Sequence, residues 1–505
     1  MKYLWSWFWQ GLGWTSVLIL LLVLIKWKTV SRNLIKRLFG HFMYVLMTDS
    51  YGQNLLELYS AVKRSGFLPI MENSLRAEHG TVLKRPFGST ANVPGFKNLL
   101  FDVAQLHVLP TEAHVPVDTK VVLGPRARKP ITLAIPIMIA GMAYGTSLSA
   151  KAKIALARGA SMAGTTCNSG EGPFLQAERD NAKYFILQYN RGFWSKNPEI
   201  LRQADAIEIQ FGQGAMAGMS HRLTANKIDE TLRQAFPIGP GQDAVIMARH
   251  REMSKPRDLI SLVQQIRAQV NGIPVGIKIA CSRELELDLA LALEAGVDFI
   301  TLGGSQAGTH GSPPSIGNNF GLPTLFGLVR AVNFLEQQGA KKELTLVISG
   351  GISEPGEILK ALALGADAVG IGTAAVFAIS HTQILKALPW EPPTQIIWYD
   401  GKYAAQFDEN HGAQNLANYL KSSVTEIADG VRILGKTSIK ELSRQDLFAL
   451  DKETAQITGI PLGYVPMPFT PPASGRQTEA ASVTKASGTT HLPSRRFNYR
   501  PMRKP

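Results

Sequence analysis

VISGGISEPGEILKALALGADAVGIGTAA, Val347 to Ala375, holds two glycine turns, Gly350-Gly351 and Gly372-Thr373, each directly after a short apolar run and separated by one helical segment. In a parallel β/α fold, neighbouring strands end side by side, so two consecutive turns of this kind face each other. Backbone N–H groups left bare by glycine can there hold a phosphate dianion, because no side chain keeps the oxygens at a distance. Ser349, Gly350, Gly351, Gly372 and Thr373 are therefore expected to form a phosphate cradle, the alternative being glycines that only make tight βα turns.

Working outward, the chain alternates strand-like and helix-like segments. ITLAIPIMIAG (131–141), TTCNSGEG (165–172), YFILQYN (184–190), AIEIQFG (206–212), PVGIKIA (274–280), FITLGG (299–304), LTLVISGG (344–351) and AVGIGTA (368–374) read as strands buried on both faces. Segments such as AKAKIALARGASMAG and ELELDLALALEAG carry helical spacing between them. Eight such alternations predict an α/β fold, a (β/α)8 TIM barrel over residues 116–390. LALEAGVDFITLGG and KALALGADAVGIGT repeat one order of helix, glycine stop and strand, with Gly296 and Gly365 placed as C-caps. An open doubly wound sheet fits less well, since its glycine fingerprint after a first strand is missing.

The 505 residues are 45% hydrophobic and 18% charged, enough to bury a core. Two cysteines, Cys167 and Cys281, exclude a disulfide framework, a four-cysteine cluster and a thiolate zinc site. The net charge of +14 gathers at the ends: Lys26, Lys28, Arg32, Lys36 and Arg37 near the start, and seven basic residues against Glu479 alone after Thr470. The middle is near neutral, so no nucleic-acid groove is expected.

Tyr3 to Ile25 is an uncharged stretch of 23 residues rich in Trp and Leu, followed by the basic cluster. That pattern predicts a transmembrane anchor over 1–30, with the lipid bilayer as partner and an inner-membrane, single-pass location with the catalytic domain in the cytoplasm. A cleaved signal peptide is the rival reading, but the n-region offers only Lys2 and no small-residue cleavage pattern follows. Residues 31–115 read as a linker and barrel cap without legible chemistry, 391–468 as a helical extension, and 469–505, rich in Pro, Ser, Thr and Gly, as a disordered basic tail.

In order along the chain, IPIMIAGMAYG, TTCNSGEG, FILQYNRG, AIEIQFGQGA, GIKIA, GGSQAGTHGSP, SGGI and GIGTAA resemble the FMN-binding synthase domain of glutamate synthases. The resemblance covers residues 130–375 and implies FMN as cofactor, with reduced flavin delivering hydride to an imine or carbonyl such as 2-iminoglutarate. It places Ala140 and Gly141 beside the isoalloxazine, Gln188 at its polar edge and Lys278 near it. Independently of any family, a lysine ending an apolar strand is costly to bury, and a reduced flavin calls for a nearby cation. A lysine snorkelling to the rim is the bland alternative.

Gln213 and Glu171, polar residues in glycine-rich loops, suit substrate orientation or proton transfer. His310 in GTHGSPP is a further proton donor candidate, weighed against a solvated loop histidine. Cys167 lacks a paired histidine and reads as structural. Three departures limit the resemblance: no cysteine precedes Cys167, so glutaminase chemistry is not expected; no cysteine trio follows the Gly-Thr-Ala-Ala turn, so no iron–sulfur cluster is expected; and Met216 stands where the family has a carboxylate-holding lysine. Two readings follow, an FMN oxidoreductase supplied by an electron-donor partner, or a binding and assembly subunit of a membrane complex.

Overall fold

Eight short segments, buried on nearly every residue, form one parallel sheet: β1 (Ile137–Ile139), β2 (Thr166–Asn168), β3 (Tyr184–Tyr189), β4 (Ala206–Gln210), β5 (Val275–Ala280), β6 (Phe299–Gly303), β7 (Thr345–Ser349) and β8 (Ala368–Ile371). The computed structural model describes residues 26–466 except Ala215, Ala217 and His310, together with scattered positions between Trp5 and Leu21. All eight expected strands are present. Their two-sided burial is what an apolar run without alternation dictates, since both the barrel lumen and the surrounding helices need filling.

The ladder runs β1-β8-β7-β6-β5-β4-β3-β2. Registers such as Ile137↔Val369 and Cys167↔Phe185 fix every adjacent pair. Among the described residues β1 and β2 share no ladder, so the barrel is nearly closed with one seam. At that seam Thr165 Oγ1 donates to the Ile137 carbonyl at 2.6 Å.

Helix α1 (Ala150–Ala163) follows β1 and starts at Ser149, whose hydroxyl accepts from Ala152 N at 3.3 Å. Helix α2 (Thr373–Ser380) follows β8. Beyond the barrel, α3 (Glu409–Ile433) buries Leu416, Leu420, Ile427 and Val431 on one face. At Gly159 of α1 a Cβ would lie 2.8 Å from Leu416 Cβ, so the two helices approach as closely as a missing side chain allows. Ile131–Leu133, expected as part of the first strand, instead pairs antiparallel with Val121–Leu123 as a separate ribbon before the barrel. The connection from β4 to β5 contains a second, unexpected ribbon, His221–Leu223 with Ala244–Ile246.

The expected membrane anchor is corrected. Among the described residues no helix is long and apolar enough to cross a membrane. One described helix, Trp27–Thr48, begins after the apolar run and carries Lys28, Arg32, Lys36 and Arg37 along its length. The single-pass inner-membrane location falls with that helix. Much of 1–25, and the tail expected to be disordered over 469–505, lie outside the described residues.

Candidate functional site

The carboxyl ends of the strands open onto a cavity of about 820 Å³, within the size range of cofactor sites, roughly 300–1,000 Å³. Ala140, Gly141, Glu171, Gln213, Lys278, Ser349, Gly350, Gly351, Gly372 and Thr373 all line it. At the end of β7, Gly350 and Gly351 have φ of 123° and 73°, a region that L side chains rarely adopt. A Cβ at Gly350 would lie 2.7 Å from Thr324 Oγ1 and 3.0 Å from Ala307 N, and one at Gly351 2.8 Å from Gln306 Cβ. The turn is held from behind by Thr324, whose hydroxyl donates to the Gly350 carbonyl at 2.8 Å. Ser349 is buried, with its hydroxyl 3.3 Å from the Leu302 carbonyl.

The end of β8 differs. Gly372 is the N-cap of α2, no side chain caps that helix, and a Cβ there would find only Ala140 Cβ, at 4.0 Å. Unsatisfied N–H groups of the first turn thus meet open space, the arrangement that favours an anion.

Lys278, on β5, is 3% exposed and lines the cavity, yet among the described residues its ammonium makes no hydrogen bond or ion pair. A buried, unpaired ammonium is costly unless a ligand completes its surroundings. Beneath it the lumen holds Glu208 of β4, which accepts from Asn168 Nδ2 at 2.9 Å, Gln188 Nε2 at 2.8 Å and Thr301 Oγ1 at 2.8 Å. Gln188 is committed to this network and sits behind Gly141, where a Cβ would come 2.9 Å from Gln188 Nε2. It does not line the cavity.

Glu171 projects from the loop after β2. Its Oε1 lies 3.2 Å from His221 Nε2, and its Oε2 accepts from Gln210 Nε2 at 3.2 Å. Burial alone would push this carboxyl up; His221, Arg191 and Lys278 outweigh it and hold the group below its ordinary range, so it is anionic. Gln213 lies across the cavity with Nε2 donating to the Gly308 carbonyl at 3.2 Å. His310 lies outside the described residues.

Residues 97–437 match the model of the conserved region in glutamate synthase. A glutamate synthase large subunit-like protein of Rhizobium meliloti (strain 1021) is 37% identical over 401 residues, covering 75% of this chain and 89% of that one. The chain belongs to the glutamate synthase family. It is 32% identical over 317 residues to the archaeal-type glutamate synthase [NADPH] of Thermotoga sp. (strain RQ2), covering 62% of each, so it spans less than two thirds of that relative. Flavocytochrome b2 carrying an Arg-to-Lys substitution aligns over 76% of this chain and 85% of its own at 16% identity with a TM-score of 0.46, too loose a likeness to carry weight.

This glutamate synthase family member is an FMN-dependent oxidoreductase, and FMN is its cofactor. Its residues fit that group: a glycine cradle with an uncapped helix end for a phosphate, and an unpaired ammonium for the electron-rich edge of the ring. Met216, 2% exposed, forms part of the cavity wall, which also carries Lys84, Arg222 and Lys227.

Sequence reading missed His221, Arg191, Gln210 and Trp194, which surround Glu171; Trp194 Nε1 donates to the Glu171 carbonyl at 2.9 Å. The one legible signal, and for His221 alone, was the 64 residues between the end of β4 and the start of β5, far more than a helix requires. With Glu171 so clamped, Glu171→Gln is expected to slow turnover about a hundredfold, a typical general acid–base contribution. Flavin content should stay at the wild-type level. Steady-state rates beside the visible absorbance of purified protein check both, and an unchanged rate removes Glu171 from the chemistry.

Proposed function

We propose that the protein reduces a carbon–nitrogen or carbon–oxygen double bond of a 2-oxo acid or its imine, with electrons from a separate donor. The observation that carries this reading is the pairing of a cation and an anion across one cavity: Lys278, buried and unpaired, and Glu171, anionic and clamped. FMN, when bound, supplies the hydride. Lys278 then offers positive charge where the cofactor is electron-rich. Glu171 is placed to orient a nitrogen or pass a proton, while Gln210 and His221 fix its two oxygens. Ala140 and Gly141 leave a flat floor, since any side chain at Gly141 would strike Asn168 Oδ1 at 2.7 Å.

Met216 narrows the substrate. A thioether cannot pair with a carboxylate, so the side chain that meets it is less acidic than that of 2-iminoglutarate. Leu223, Ala244 and Ile246 from the inserted ribbon add apolar surface to the cavity, while His221 and Arg222 of the same ribbon bring polar groups to it.

Purified protein should show flavin bands near about 370 and 450 nm. After anaerobic reduction, reoxidation by a monocarboxylic 2-oxo acid plus ammonium should outpace that by 2-oxoglutarate plus ammonium at least tenfold. Met216→Lys should reverse the order. Equal rates in the wild type would remove the substrate assignment and leave the flavin assignment standing.

A further inference from the structure

We propose that Lys153 is a positioning residue, its ammonium with Glu178 forming a buried clasp that closes the open seam of the barrel and holds the two flavin-facing loops in register. The proposal rests on the reading that FMN lies across those loops.

The seam between β1 and β2 is the one place in the ring where backbone hydrogen bonds do not join neighbouring strands among the described residues. The bonds that do cross it, Thr165 Oγ1 to the Ile137 carbonyl at 2.6 Å and Ala134 N to the Gly164 carbonyl at 3.0 Å, lie toward the amino ends of the strands and leave the loop after β1, with Ala140, Gly141 and Met142, unjoined by the ladder to the loop after β2, with Asn168, Ser169 and Glu171. Lys153 reaches that gap from α1. Its Nζ donates to the carbonyls of Met142 at 2.5 Å, Asn168 at 2.9 Å and Ser169 at 3.4 Å, so one group spans both loops. Glu178 Oε1 lies 2.8 Å from the same nitrogen, and both side chains are 1% exposed.

The loops are shaped for this contact. Gly170 and Gly172 lie flat against the backbone of residues 142–144: a Cβ at Gly170 would sit 2.5 Å from Met142 C, and one at Gly172 2.5 Å from Tyr144 O. Two such surfaces slide unless something fixes them, and among the described residues the ammonium is the only side chain bonded to both. Placing an ion pair here is expensive, since both partners leave water. Burial pushes the Glu178 carboxyl up to about 7 against the pull of Lys153. A hydrophobic pair would fill the space at lower cost, so stability alone does not account for a lysine at this point.

The test separates positioning from folding. In flavin-free Lys153→Met, hydrogen exchange followed by mass spectrometry should show amides of 140–146 and 166–172 exchanging at least tenfold faster, with the other strands within twofold of wild type. FMN affinity should fall ten- to a hundredfold. If that variant folds poorly, Lys153→Met/Glu178→Met removes the orphaned carboxylate. Its melting temperature should return to within a few degrees of wild type while loop exchange stays fast and FMN affinity stays low. Recovery of all three would make the pair structural only and overturn the proposal, as would unchanged loop exchange in the single variant. Because exchange is read without flavin, a wild type that fails to bind FMN would count against the cofactor site and not against the clasp.

Discussion

Gly372→Val is expected to fold and melt as the wild type does and to lose FMN. The position has φ of −114°, so a β-branched residue meets no left-handed strain there. A Cβ would touch nothing but Ala140 Cβ at 4.0 Å, so the added methyls enter only the space that a phosphate would fill. What they displace is access to the N–H groups of the first turn of α2, which no side chain caps. Hydrogen bonds to a charged partner contribute about 1.5–3 kcal/mol each, and losing two of them weakens binding by about 3 kcal/mol or more, roughly a hundredfold. Equilibrium titration of apoprotein with FMN measures the loss, and thermal melting of the apoproteins controls for folding. Gly351 makes a poorer probe: its φ of 73° and the nearby Gln306 Cβ would destabilise the turn whether or not a ligand binds. Wild-type affinity in Gly372→Val would move the phosphate away from the end of β8.

The strands were readable because each is apolar on consecutive residues, a pattern that only a doubly covered sheet requires, and glycine turns marked their ends. The catalytic end was readable only in part. Glu171 and Gln213 stand out as polar residues among glycines, but their partners come from elsewhere in the chain. His221 lies 50 residues beyond Glu171 on a three-residue strand too short for any period to show. Lys153 was missed for a different reason. In AKAKIALARG a lysine looks like part of a solvated face, yet Lys153 shares its face with Leu156, Ala157 and Ala160, all buried. A charge on the apolar stripe of a helix beside a seam was a legible signal. Gln188 shows the converse. Its position on β3 follows from the sequence, but the Glu208 network that engages its amide depends on four strands at once.

The expected anchor has no counterpart among the described helices, and the basic residues expected to flank a span lie within the helix Trp27–Thr48.

Lys278→Met is expected to lower the reduction potential of bound flavin and slow its reduction about a hundredfold, without loss of stability. The wild-type lysine is 3% exposed as a residue and its ammonium, at the cavity wall, has no partner among the described residues, so replacing it with an apolar chain of similar length removes no contact from the folded apoprotein. The melting temperature of the apoprotein should therefore hold or rise. With FMN bound the balance reverses. At an effective dielectric of about 20 and a separation of about 5 Å, a unit positive charge stabilises a unit negative charge by about 3 kcal/mol. For a two-electron couple that corresponds to about 60 mV, and a potential lowered by that amount is the signature to look for in a redox titration. Glu171 should respond as well, since Lys278 is one of the charges that keep it anionic. Loss of the lysine therefore raises the pH at which Glu171 protonates, and the acid limb of the rate profile should move upward. A variant with unchanged potential and an unmoved acid limb would show that the ammonium faces neither the flavin nor Glu171, and that its burial serves some other group in the cavity.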